Sequence, residues 1–207
     1  DGITDLDEIN GEGPLEGFGP TDPTKTDSDG DGLSDGVEVG VTEGDEDTGE
    51  TFLGDQDPET TTDPNDDDSD DDGILDGNED SNGDGAVSDQ VIGGTGTEGA
   101  GETDPNNADS DGDGILDGTE EGLTEPQGDG TEAGSFVPDA DPESETDPLD
   151  TDTDDGGALD GAEDPNFNGR IDVDELDPED GEDDHLLGDK DGDGDPDETD
   201  CAPLNPA

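Results

Sequence analysis

Asp27, Asp29, Asp31, Asp35 and Glu38 fall on one twelve-residue stretch with Gly32 at its centre. Carboxylates at positions 1, 3, 5, 9 and 12, a backbone carbonyl at 7 and a glycine at 6 are the oxygen donors and the sharp turn of a calcium loop. The Leu33 carbonyl would serve at position 7. The pattern returns with Asp68, Asp70, Asp72, the Ile74 carbonyl, Asp76 and Glu79 around Gly73, and again with Asp109, Asp111, Asp113, the Ile115 carbonyl, Asp117 and Glu120 around Gly114. Such hard oxygen donors suit Ca²⁺, whereas Mg²⁺ demands a tighter octahedron. Softer metals would want His or Cys, and the chain has one of each.

Further loops are graded versions of this pattern. A fourth carries Asp152, Asp154, Asp160 and Glu163, but Gly156 stands at position 5, so Asp155 or water would have to substitute. A shorter loop supplies Asp164, Asn166, Asn168, the Arg170 carbonyl, Asp172 and Glu175. Its relative has Asp80, Asn82, Asp84 and Ser88, but Val91 at position 12, which predicts weaker binding. The last runs through Asp189, Asp191, Asp193, the Asp195 carbonyl, Asp197 and Asp200. At the other end only Asp1, Gly2, Asp5 and Glu8 of a loop are present, so the chain is expected to begin inside a repeat, with further repeats before it.

The loops are held in a fixed register. Asp27, Asp68, Asp109 and Asp152 follow one another at 41, 41 and 43 residues, each loop preceded by a TDP triplet. A double repeat of 82 to 84 residues lies above this, because related spacers with Phe52 and Phe136 follow the first and third loops. The organisation read from this is 1–20, the end of a short-loop repeat; 21–61, 62–102, 103–145 and 146–188, four repeats; and 189–207, a C-terminal loop with Cys201. Asp22, Asp63, Asp104 and Asp147 in the TDP triplets serve either turn chemistry, since Pro fixes φ and keeps its predecessor extended, or a second ion. The same choice stands for Asp55, Asp57, Asp139 and Asp141 in the spacers. Leu33, Ile74, Ile115 and the four Phe read as small apolar plugs between loops, and the His185 and Arg170 side chains as surface.

An EF-hand would flank each loop with helices. These flanks are Gly, Pro and Asp, with no apolar stripe at helical spacing. Short single turns or two-residue bridges around the ions are the regular structure to expect.

Composition excludes most other readings. Apolar residues make up 19% of 207, and 72 acids face 3 bases for a net charge of −69. A chain so poor in apolar groups cannot offset an ordering cost of ~1–2 kcal/mol per residue without help from a cation. Nucleic acid and anionic membrane would be repelled, and no apolar run approaches a membrane span. With no tunable pocket in view, the chain is not expected to be an enzyme. One Ca²⁺ in each of about eight loops would bring the charge to roughly −53. Without ions, five carboxylates within ~5 Å of one another repel by several kcal/mol.

The segments DSDGDGLSDGVE, DSDGDGILDGTE and DKDGDGDPDETDCAPLNP resemble the thrombospondin type-3 repeat in the form common in bacterial secreted proteins. The resemblance implies an elongated array of tandem loops, with little regular secondary structure, wrapped around a row of calcium ions that replaces an apolar core. The long spacers and single Cys201 depart from the animal members, so their disulfide ladder is not carried over. A calcium-stabilised spacer or fibre segment, outside the cell or on its surface, is the function this implies. Its partners would be calcium, and further copies of itself or neighbouring domains of a longer chain. A calcium-dependent adhesion module, binding a protein or glycan through the spacers with Phe52 and Phe136, is the alternative.

Overall fold

The computed structural model describes residues 1–44, 52–88 and 90–187. The last acidic loop, Asp189 to Asp200, and Cys201 lie outside the described residues.

Regular structure is sparse. Helix α1 spans Asp5–Asn10, and α2 to α5 are single turns: Asp35–Glu38, Asp76–Glu79, Asp117–Glu120 and Asp160–Glu163. Two 3₁₀ turns cover Gly13–Leu15 and Asp184–Leu186. Isolated bridges join Val91 to Ala100, Gly93 to Asp150 and Gly94 to Thr97, and no strand extends them among the described residues. No described helix is long and apolar enough to cross a membrane.

The longest helix has a start and a stop in its sequence. The Thr4 hydroxyl accepts the Asp7 N–H at 3.2 Å, and Gly11 ends α1 at φ 63°. The four single turns each occupy positions 9 to 12 of an acidic loop. Each contains a glycine, costing about 1 kcal/mol in a helix, and none is long enough to repay nucleation. They are held by what surrounds them and not by propensity.

Two compact units form, each from separated stretches of chain: 1–90 with 101–108 and 125–136, and 91–100 with 109–124 and 137–207. In the first, the position-7 side chains Ile3, Leu33 and Ile74 are buried along with Leu15 and Val37. In the second, Ile115 and Ala158, also position-7 residues, are buried with Leu149. These five loops thus send their position-7 apolar side chain to the interior. The rest of the interior is largely acidic.

Successive loops stack through the glycine at position 10. In the first unit Gly77 donates its N–H to Asp31 Oδ2 at 2.8 Å, and a Cβ on Gly77 would meet the Asp31 carbonyl oxygen at 2.6 Å. In the second, Gly161 makes the same pair of approaches to Asp113. Only a residue without a side chain admits this contact.

The even-numbered loops are covered by segments distant in sequence. Thr131 donates its hydroxyl to Asp68 and Glu132 its N–H to Asp71, while Gly130 N–H bonds Asp67 at 2.7 Å. In the second unit Thr95 and Gly96 make the corresponding bonds to Asp152 and Asp155. Aromatic rings lie over the turn glycine of three loops. A Cβ on Gly2, Gly73 or Gly114, each at position 6, would meet Phe52, Phe136 or Phe167 at 2.6, 2.7 and 2.9 Å respectively.

Candidate metal centres

The loops share one internal wiring, and it commits only one oxygen of most carboxylates. At position 1, Asp27, Asp68, Asp80, Asp152 and Asp164 each accept the N–H of their position-6 glycine through Oδ2, at 2.7 to 3.3 Å. At position 3, Asp29, Asp70, Asp111 and Asp154 use Oδ1 to accept the N–H two residues on. At position 9, Asp35, Asp76, Asp117 and Asp160 accept the backbone N–H of the position-2 residue, Ser28, Ser69, Ser110 or Thr153. These bonds curl the acidic chain so that its carboxylates converge.

The second oxygens are what a cation would need. Asp29 Oδ2, Asp70 Oδ2, Asp111 Oδ2 and Asp154 Oδ2 are buried atoms with no hydrogen-bond partner. So are Asp68 Oδ1, Asp152 Oδ1 and Asp164 Oδ1 at position 1, and Glu38 Oε2, Glu120 Oε2 and both oxygens of Glu163 at position 12. Buried polar atoms are otherwise bonded almost without exception, and an unpaired buried charge is costly. The oxygens also lie together: Asp27, Asp29 and Asp31 each offer one within 4.8 Å of the others, as do Asp68, Asp70 and Asp72, and Asp109, Asp111 and Asp113. Asp31, Glu38 and Asp76 form a further such group, joining positions 5 and 12 of the first loop to position 9 of the second. All-oxygen donors in this density fit a hard divalent cation.

The electrostatics agree. Burial, then the carboxylates of Asp29, Asp31, Asp35 and Asp76, push Glu38 up to about 10. Burial followed by Asp184, Asp154 and Asp183 pushes Glu163 to about 9. Glu120 is raised well above its ordinary value by burial, with Asp111 and Asp113 adding to it. Asp111 rises to about 8, and Asp29, Asp70, Asp76 and Asp160 to about 7, burial leading in each case. A bound divalent cation would reverse this, favouring the ionised form at every one of them.

The position-12 glutamates are aimed by the TDP triplets. Thr62 donates its hydroxyl to Glu38 Oε1 at 3.4 Å, Thr146 to Glu120 Oε1 at 2.8 Å and Thr21 to Glu8 Oε1 at 3.4 Å. The triplet aspartates do turn work: Asp22, Asp63, Asp104 and Asp147 each accept the N–H two residues on. In the spacers, Asp55 and Asp139 are 3% exposed; each sets its Oδ1 against the glycine of a short loop, Gly85 or Gly169, and has an Oδ2 with no partner. Asp57 and Asp141 are exposed and donate backbone N–H groups to them at 2.7 and 2.8 Å.

The N-terminal residues follow the scheme in part: Asp1 accepts the Ile3 N–H at 2.8 Å and Glu8 is buried, but Asp5, at position 9, is exposed where Asp35, Asp76, Asp117 and Asp160 are buried. In the short loop from Asp164, Glu175 accepts the N–H of Asp172 at 2.7 Å and the amide of Asn166. The Arg170 side chain is exposed and pairs with Asp172. In the loop from Asp80, where Val91 replaces that glutamate, the same two donors are served by Glu102. Its Oε2 accepts the N–H of Ser88 at 3.0 Å and its Oε1 the amide of Asn82 at 2.9 Å. Val91 instead bridges to Ala100. Glu102, lying outside the twelve-residue pattern, was invisible to it; the only sequence signal was a glutamate directly before a TDP triplet. The position-10 glycines, Gly36, Gly77, Gly118 and Gly161, recur in all four loops and could have been read from the sequence.

No protein-family model, curated protein or solved structure matches the chain.

Proposed function

We propose that this is a calcium-binding structural protein, an array of acidic loops whose fold is held by ions where a globular domain would use an apolar core. The observation that carries the reading is the set of buried carboxylate oxygens without partners, recurring at positions 1, 3 and 12 of successive loops. Calcium is favoured among cations by the exclusively oxygen donors and by glutamates at position 12, where a bidentate clamp belongs. The group of Asp31, Glu38 and Asp76 supports ions in a row, since neighbouring loops share its ligands. Sites of the kind found in extracellular modules bind at ~10⁻⁴–10⁻³ M, and this supports a working location where calcium is plentiful, outside the cell or on its surface. A spacer or fibre segment fits this better than an adhesion module, because Phe52 and Phe136 lie over glycines of the loops.

Small-angle scattering of the chain in calcium and in excess chelator tests the reading. Compact dimensions in calcium, expansion in chelator and little rescue by Mg²⁺ are expected. Identical dimensions in both conditions would overturn it.

A further inference from the structure

The fourth loop lacks an aspartate at position 5, where Gly156 stands. Elsewhere position 5 accepts the N–H of position 7 through Oδ1: Asp1 from Ile3, Asp31 from Leu33, Asp72 from Ile74, Asp84 from Ala86, Asp113 from Ile115 and Asn168 from Arg170, at 2.7 to 3.1 Å. In the fourth loop the position-7 donor is Ala158, and its N–H goes to Asp184 Oδ2 at 2.7 Å. Asp184 opens the second 3₁₀ turn, 26 residues beyond Ala158. Its carboxylate fills the space a side chain on Gly156 would occupy: a Cβ there would collide with Oδ2 and meet Cγ at 2.5 Å. Asp155 points elsewhere, being exposed and accepting the Gly96 N–H.

Asp184 is 8% exposed, and its Oδ1 has no hydrogen-bond partner. Asp152 and Glu163, 0% and 1% exposed, likewise carry oxygens without partners, as does Asp154. We propose that Asp184 is the missing position-5 ligand of the fourth loop, completing from outside it a calcium site otherwise formed by Asp152, Asp154 and Glu163. The assignment rests on the calcium reading above. It also accounts for Gly156, since a side chain there would displace the incoming carboxylate. The site is then a clasp: the ion ties the segment at 184 to the loop at 152–163, and it forms only once that segment has docked.

The experiment counts calcium bound to the full chain by equilibrium dialysis, comparing wild type with Asp184→Ala, Asp184→Asn and Glu182→Ala. Glu182 is exposed, and its loss changes the charge equally. Asp184→Asn keeps an acceptor for the Ala158 N–H, so it reports ligand charge even where Asp184→Ala disturbs folding. Both Asp184 variants should lose one ion, or weaken one site at least tenfold for Ala and severalfold for Asn, with Glu182→Ala unchanged. Combining Asp152→Ala with Asp184→Ala should lose no more ions than Asp152→Ala alone. Asp184 variants matching Glu182→Ala, or a double variant losing one ion more, would overturn the assignment and leave the calcium reading standing. Wild-type chain that binds no calcium would overturn both.

Discussion

A carboxylate in these loops has two oxygens with different tasks. In most such carboxylates, on the proposed reading, one oxygen shapes the loop by accepting a hydrogen bond and the other is left for a cation. Removing the second should therefore harm binding without undoing the turn. Glu120→Gln keeps the acceptor for Thr146 but loses the charge of the position-12 clamp. Its loop should bind calcium at least tenfold more weakly in a calorimetric titration, since charge-assisted ligation is lost. Gly114→Val leaves every ligand in place, yet Gly114 has φ 112° and a Phe167 ring within 2.9 Å of any Cβ. The same titration should show comparable damage. Unaltered stoichiometry and affinity in both variants would mean the ligand register is wrong. Proton linkage gives a third test at this scale. Carboxyls whose values are raised in the folded chain, from about 6 at Asp31 to about 10 at Glu38, favour the compact form while protonated. In chelator that contribution is complete below the ordinary carboxylate range and is lost as pH rises through these values. The hydrodynamic radius in chelator should thus grow between about pH 4 and about pH 10. Calcium competes with the same protons, so its affinity should rise over that interval.

At the scale of the element, the single-turn helices are docking pieces. Their position-10 glycines admit the carbonyl of the preceding loop, so Gly77→Ala should cost about 1–3 kcal/mol, seen as a lower melting temperature in calcium. Thr131→Val removes the hydroxyl bonded to Asp68 and should cost about 1–3 kcal/mol by the same measurement. Much of this level was legible in advance. Spacing located the carboxylates that converge in the three complete loops, and the Gly- and Pro-rich flanks ruled out long helices. The single turns at positions 9 to 12 match the short turns expected there. What escaped was everything supplied across long sequence separations. Glu102 and Asp184 mend loops that looked defective, and the segments around Thr95 and Thr131 cover loops 57 and 63 residues away. A motif records what lies within twelve residues; a carboxylate that arrives from elsewhere leaves no mark on spacing. The double repeat pointed to equivalent spacers without revealing what they touch.

The whole molecule carries −69 charges and buries more acid than oil, a repulsion that the proposed cations would offset. It also has an unusual order of assembly. The first unit draws on residues 1–90, 101–108 and 125–136, the second on 91–100, 109–124 and 137–207. A chain ending at residue 124 keeps every ligand of the second loop but lacks Gln127, Gly130, Thr131 and Phe136, which bond or cover it. Hydrogen exchange at the Gly73 amide should be markedly faster in that fragment than in the full chain, both in calcium. The braided order has a consequence for biosynthesis. As the polypeptide emerges from its N-terminus, the second loop waits uncovered until residue 136 is out, and residues 91–100 wait for a fourth loop not yet made. Folding segment by segment in chain order is therefore closed to this chain, since each unit needs a stretch made after part of the other. The first unit stays open until residue 136 has been made, and residues 91–100 must remain unpaired, a polyanion in waiting, until the fourth loop follows.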